Sequence, residues 1–299
     1  VITQPAPAPV AAPRTPRPAP RPRRKPSVHH ALSTALIVVI VVVQVYPLAW
    51  LVLTSLRSED DFAAGNPFGL PESITFDNYT RAFATGDTGT YILNSLIVTA
   101  GANLLIVLLG MMAAYALQVL GFRLAGFVRG LFLIGIIVPV QIALVPLFID
   151  YASVDLLDTH LSMIIPLAGF ALPMSVYLFS SFFQYIPREM YEAAALDGAG
   201  PYRVFGSITL PMSKNTVVTV VMVNSIFIWN DFIFANTFVL SEGLKTIPLG
   251  LQNYIGAMGK VDWTATFAAV CVMITPLLLA FLVLNKAMIY GLEQGATKG

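Results

Sequence analysis

Charge is what this 299-residue chain has least of: Asp, Glu, Lys and Arg make up 11% of it, against 57% hydrophobic residues. So little polar surface cannot cover a water-soluble globule of this length, and a mean hydropathy of +0.76 agrees. Cysteine is almost missing. The single Cys271 excludes an intrachain disulfide and any multi-cysteine metal site, and its place in an apolar run suits packing. Histidine is scarce too: His29, His30 and His160 lie at the edges of apolar runs and no H-E-x-x-H pair occurs, so neither a metal site nor a catalytic residue is expected. A G-x-x-x-x-G-K-S/T phosphate loop is also lacking. The nearest fragment, at 256–261, has the wrong spacing and no hydroxyl, which excludes a P-loop ATPase.

What the chain does have is apolar length. Six stretches, at about 31–53, 92–120, 130–149, 161–185, 216–240 and 264–290, match or exceed the ~20 residues of a spanning helix. The second is long enough to be tilted or partly interfacial. Runs such as 36–43 lack the polar alternation of a membrane barrel strand, so helices are the expected spanning elements. The expected fold class is all-α, a polytopic membrane protein with six transmembrane helices. The first stretch continues into Trp50 and Leu51 without a small-residue cleavage pattern and is read as a retained helix.

Basic residues in short connections are kept on the cytoplasmic side. An inside N-terminus places Arg14, Arg17, Arg21, Arg23, Arg24, Lys25, Arg123, Arg129, Arg188, Arg203, Lys214, Lys286 and Lys298 in the cytoplasm, leaving Arg57, Arg81, Lys245 and Lys260 outside. Both termini are then cytoplasmic in a multi-pass plasma-membrane protein. Residues 1–28 alternate Pro with Ala and Arg and carry no acid, the composition of a disordered tail, and 29–299 form the membrane domain. The Arg/Lys cluster before the first span suits topology control and contact with membrane lipid. No aromatic residues interleave with it, so nucleic acid is not an expected partner. Short helices are expected in the outside segment 57–90. The outside connection 241–263 carries Tyr254, Met258 and Trp263, which suit either a partner or the membrane interface.

The most informative stretch is 187–198, between the fourth and fifth spans. Pro187 suits a first helical turn, Glu189 favours the positive helix end, Ala193, Ala194 and Ala195 propagate a helix, and Gly198 can take the left-handed stop. Its small side chains suit the groove of another protein, with Glu192 available to a basic group there; a helix that merely closes the loop fits the same residues.

The run Glu192, Ala193, Ala194, Ala195, Leu196, Asp197, Gly198, Ala199, continuing through Ile208, Leu210 and Pro211, resembles the EAA loop of ABC-importer permeases. Trp229, Asn230, Asp231, Phe232 and the ending Gly291, Leu292, Gly295, Ala296, Lys298, Gly299 resemble signatures of its carbohydrate branch, which includes the maltose importer; Phe76, Asp77, Asn78, Tyr79 and Ala113, Ala114, Tyr115, Ala116 also fit. The resemblance implies a type I importer permease fold, with a coupling helix at about 187–199 seated in a cleft of a cytoplasmic ATPase through Glu192, Ala193, Ala194, Asp197, Gly198 and Ala199. It further implies a second permease subunit, two ATPase subunits that bind ATP and Mg, an extracytoplasmic solute-binding protein and a sugar substrate. This chain then binds no cofactor and hydrolyses no ATP.

Burying Asp231 at the bilayer centre costs at least ~2.5 kcal/mol unless it is paired or wet, so it is expected to line a cavity or cap a helix break. Asn94, Gln141, Asn224, Trp229 and Asn230 carry the amide and aromatic groups a sugar path needs, and interhelical hydrogen bonding or packing accounts for them more readily. The alternative is an ATP-independent secondary transporter or channel, for which Asp231 is the only suitable acid inside a span.

Overall fold

The computed structural model describes residues 28–66, 68–85, 87–254 and 261–296. The Pro/Arg-rich stretch before Val28 lies outside them, as do Met258, Lys260, Lys298 and Gly299. Contacts divide the chain into two units, 1–49 and 50–299. The described part of the first is helix α1 (Val28–Ser55), whose last turns, from Trp50, belong to the second; it stays helical through Pro47.

The second unit continues with α2 (Glu59–Ala64), α3 (Asp77–Thr85), α4 (Thr88–Tyr115), α5 (Ala125–Ile137), α6 (Val140–Ser153) and α7 (His160–Phe183). There follow α8 (Arg188–Leu196), α9 (Pro201–Val204), α10 (Leu210–Met212), α11 (Lys214–Trp229), α12 (Ile233–Phe238), α13 (Ile247–Gly250) and α14 (Trp263–Ala296). Among the described residues, four helical stretches are individually long and apolar enough to cross a membrane: Leu32–Ser55, Thr88–Leu120, His160–Phe183 and Trp263–Val283. Two bent pairs raise the number to six if each is one span: Ala125–Ile137 with Val140–Ser153, bent by 96°, and Pro201–Met212 with Lys214–Trp229, bent by 73°. The short helices expected between the first two spans are α2 and α3.

Two expected spans are not continuous. The stretch 130–149 breaks at Pro139, which cannot donate a helical N–H and holds Val138 extended at ψ 118°. The stretch 216–240 ends as a helix at Trp229. Asp231 Oδ2 then accepts from the backbone N–H groups of Phe234 (3.2 Å) and Ala235 (3.3 Å), satisfying the free donors that start α12.

The core lies where α4 and α7 run side by side in the same direction, with α11 against both. Val98, Ala102 and Ile106 of α4 pack with Met163, Val176 and Phe179 of α7 and Val220 of α11. In a bilayer such packing works through dispersion and polar ties rather than a hydrophobic drive between helices. The ties are present: Asn224 Nδ2 donates to Ser175 Oγ at 3.0 Å and Asn103 Nδ2 to Ser225 Oγ at 3.1 Å.

Contacts define two ends of this bundle. At one, the C-terminal ends of α4 and α7 meet the 187–213 connection, as when Tyr115 Oη donates to Pro201 O at 3.1 Å. At the opposite, distal end the N-terminal turns of α4, α7 and α14 meet the segment 238–254.

Candidate functional site

The connection after α7 is built from local punctuation. Pro187, at φ −56° and ψ 131°, holds the chain extended just before α8, and Glu189 sits in the first turn, where the helix dipole favours an acid. At the other end Gly198 adopts φ +75°, a left-handed conformation that costs glycine nothing. Its N–H donates to Ala195 O (3.0 Å) and that of Ala199 to Ala194 O (2.9 Å), which is the Schellman stop.

This helix is held firmly by one face. Tyr191, Ala194 and Ala199 pack onto the main core, and Tyr191 Oη lies 3.3 Å from Thr209 Oγ1. Burial pushes the Tyr191 phenol up from its ordinary range, against the smaller effect of the Thr209 bond, so it remains a neutral hydroxyl. Phe205, in the π-helical turn Phe205–Thr209, packs edge-on against Tyr115 with ring centroids 5.2 Å apart. The helix is thereby tied to the ends of α4 and α7 and to the chain that enters α11.

The other face is open. Glu192, Ala193, Asp197 and Gly198 are exposed, while Ala194 and Ala199 are half-buried. Two large apolar side chains beside them are almost wholly exposed, Leu196 at 90% and Tyr202 at 88%. Sequence reasoning left both out of the site. A usable signal was present for Leu196, which stands four residues after Glu192 and so shares its helix face; Tyr202 carried none. Recesses flank the helix: a cleft of about 610 Å³ bordered by Gln118, Gln184, Arg188 and Glu192, and a groove of about 230 Å³ bordered by Asp197, Arg203 and Ser207.

The expected translocation residues are not gathered in one place. Asn94 is buried at the distal end, where Nδ2 donates to Gly243 O and Lys245 O, each at 2.9 Å. Asn224 ties α11 to α7, and buried Trp229 donates from Nε1 to Met273 O of α14 at 3.1 Å. Asp231 caps α12. Asn230 and Gln141 are exposed, the first bonding back to Ile226 O at 2.7 Å. The motif Phe76, Asp77, Asn78, Tyr79 has a structural use: Asn78 Nδ2 donates to Ser55 O (2.7 Å) and Arg57 O (2.6 Å), folding the segment back on the end of α1.

Comparison with known proteins adds the family. Residues 106–288 match the model described as "Binding-protein-dependent transport system inner membrane component". The chain is 33% identical over 266 residues to the diacetylchitobiose uptake system permease protein NgcG of Streptomyces coelicolor, covering 89% of this chain and 88% of that protein. It is 31% identical to the trehalose transport system permease protein SugB of Mycobacterium tuberculosis, covering 85% and 92%. A chain from the crystal structure of a bacterial ABC transporter importing the acidic polysaccharide alginate superposes with a TM-score of 0.71 at 20% identity, covering 90% of this chain and 99% of that one, a likeness of fold. This chain therefore belongs to the binding-protein-dependent inner-membrane transport components, the multi-pass permease subunits of ABC importers, which themselves hydrolyse no ATP.

Proposed function

We propose that this permease forms one half of a sugar pathway and receives the ATP-driven movement through α8. Family membership replaces the ATP-independent transporter considered on the sequence. The observation that carries the reading is the division of α8 and its C-terminal stop into two faces: Tyr191, Ala194 and Ala199 are seated on the chain's own core, whereas Glu192, Ala193, Leu196 and Asp197 stand free. A helix fixed on one side and open on the other passes a push from a partner into α7 and α11 as a rigid-body displacement.

In this reading the connection 187–213 and both termini are cytoplasmic, in keeping with the basic residues Arg188, Arg203 and Lys214 there. The assembly contains a second permease, two ATPase subunits binding ATP and Mg, and an extracytoplasmic binding protein at the distal end. Sugar as the substrate class is supported by the diacetylchitobiose and trehalose permeases among the relatives. Exposed Gln141 and Asn230 keep polar groups available to such a path, whereas the amide group of Asn94, the amide nitrogen of Asn224 and the indole N–H of Trp229 are bonded within the chain.

A photo-crosslinking side chain introduced at Leu196 tests this. In membranes holding the assembled importer it should trap an ATPase subunit, and the same probe at exposed Leu104, midway along α4, should not. Trapping of lipid alone from both positions would contradict the reading.

A further inference from the structure

The distal segment 238–254 looks at first like a lid. It is made of short turns, Glu242–Leu244, α13 and Leu251–Tyr254, joined by extended residues. Mobile lids are drawn from segments with few buried contacts and solvent-exposed backbone hydrogen bonds. Here Phe238, Val239, Thr246, Ile247, Leu249, Gly250 and Tyr254 are buried, while Leu240, Glu242 and Gly243 are exposed.

Two side chains clasp the segment to its own helices. Asn94 of α4 spends both amide hydrogens on the carbonyls of Gly243 and Lys245, so its Oδ1 is the acceptor for His160 Nε2 of α7 at 2.9 Å. Asp158, just before α7, accepts on Oδ1 from Leu240 N (2.9 Å), Ser241 N (2.8 Å) and Ser241 Oγ (3.0 Å), and its own N–H donates to Phe238 O at 2.9 Å. The joint is tight elsewhere as well. Ile247 N donates to Ser95 Oγ of α4 at 3.0 Å, and a methyl group on Gly250 would run into the buried ring of Tyr91. Opening the buried bond from Ile247 to Ser95 would strand an amide N–H, and opening those from Asn94 would take from two carbonyls a donor that comes from another element.

We propose that α4, α7 and the segment 238–254 remain one rigid piece throughout the transport cycle, clasped by Asn94 and Asp158. The distal mouth then opens between this chain and the subunits around it, and the segment does not lift off its own helices. Asn94 is thus a positioning residue for the rim of the pathway. The inference rests on the chain being an importer permease and is independent of where α8 docks.

The test replaces the polar clasp by a covalent one. In a Cys271→Ala background, Asp158→Cys and Ser241→Cys put thiols on two side chains whose oxygen atoms now lie 3.0 Å apart, and oxidation in the purified importer is followed by mass. The expected result is ATP hydrolysis at least as fast oxidised as reduced, since the disulfide restores the lost clasp. Hydrolysis that falls about tenfold on oxidation and returns with reductant would overturn the proposal, because a piece that must open has been locked. Hydrogen exchange on the unmodified importer reads the same joint without any substitution. The amides of Leu240, Ser241 and Ile247 should keep their protection on adding ATP and Mg, and a rise of about tenfold or more in their exchange would equally overturn it.

Discussion

Tyr191 Oη of α8 stands 3.3 Å from Thr209 Oγ1, on the chain about to turn into α11. The contact joins the two flanks of the 187–213 connection across 18 residues. Its energy lies mostly in the ring. Tyr191→Phe keeps the packing and removes one hydrogen bond, an expected cost of about 1 kcal/mol. Tyr191→Ala also empties a half-buried site at a cost of about 2 kcal/mol, below the range for a fully buried aromatic. Melting of the purified subunit in detergent should rank the two in that order, and equal shifts would mean that the ring does not hold the helix.

Gly198 at φ +75° is expected to tolerate few replacements. Alanine there costs about 1–2 kcal/mol because its Cβ meets a carbonyl in the left-handed conformation, while asparagine should cost less. Since no other part of the chain crowds a Cβ at this position, the loss comes from the local backbone alone and not from a tertiary clash. Ordered thermal stabilities, Gly above Asn above Ala, check this.

Leu196, at 90% exposure, should be silent in the isolated subunit and important in the complex. Leu196→Glu is expected to change subunit stability by no more than about 0.5 kcal/mol. It should nevertheless lower the ATPase recovered with the tagged subunit. A matching loss of subunit stability would point to a packing role instead.

The punctuation of α8 was legible because it is local: Pro187 and Gly198 act on their own backbone, and the helix between them needs no distant partner. Asp231 marked the break in the fifth expected span, as a lone acid in an apolar run, but the break in the third was less legible. Pro139 bends its span, yet Pro166 and Pro173 sit inside a continuous α7, so proline alone does not mark a break in a membrane helix; its surroundings decide. Asn94 looked like a path residue because a lone amide in an apolar run needs a reason, and the carbonyls that supply one lie 149 and 151 residues away. Leu196 and Tyr202 were passed over because apolar side chains normally turn inward.

The distal clasp should weaken in acid. Burial alone would raise the Asp158 carboxyl, but hydrogen bonds from Ser241 and Leu240 outweigh it and hold the group below its ordinary 3.8. Glu242 is held below its ordinary 4.5, chiefly by the Lys245 ammonium and next by the Tyr91 hydroxyl. Both bind protons less readily folded than unfolded, so their contribution is complete above these ordinary values and fades as pH falls through and below them. Melting temperature followed from pH 6 down to about pH 3 should drop more steeply for the native chain than for Asp158→Asn, which starts lower and carries no titrating group there. Parallel curves would contradict the assignment.

The most direct measurement bears on α8 itself. The importer is purified in mild detergent through a tag on this chain, native or carrying Glu192→Lys with Gly198→Asp, and the recovered ATPase activity is compared at equal amounts of folded, membrane-inserted subunit. ATPase should accompany the native chain and be lost with the double variant, because the exposed acid and the helix stop are both removed. Equal recovery from the two, with ATP-dependent uptake unchanged, would contradict coupling through this helix.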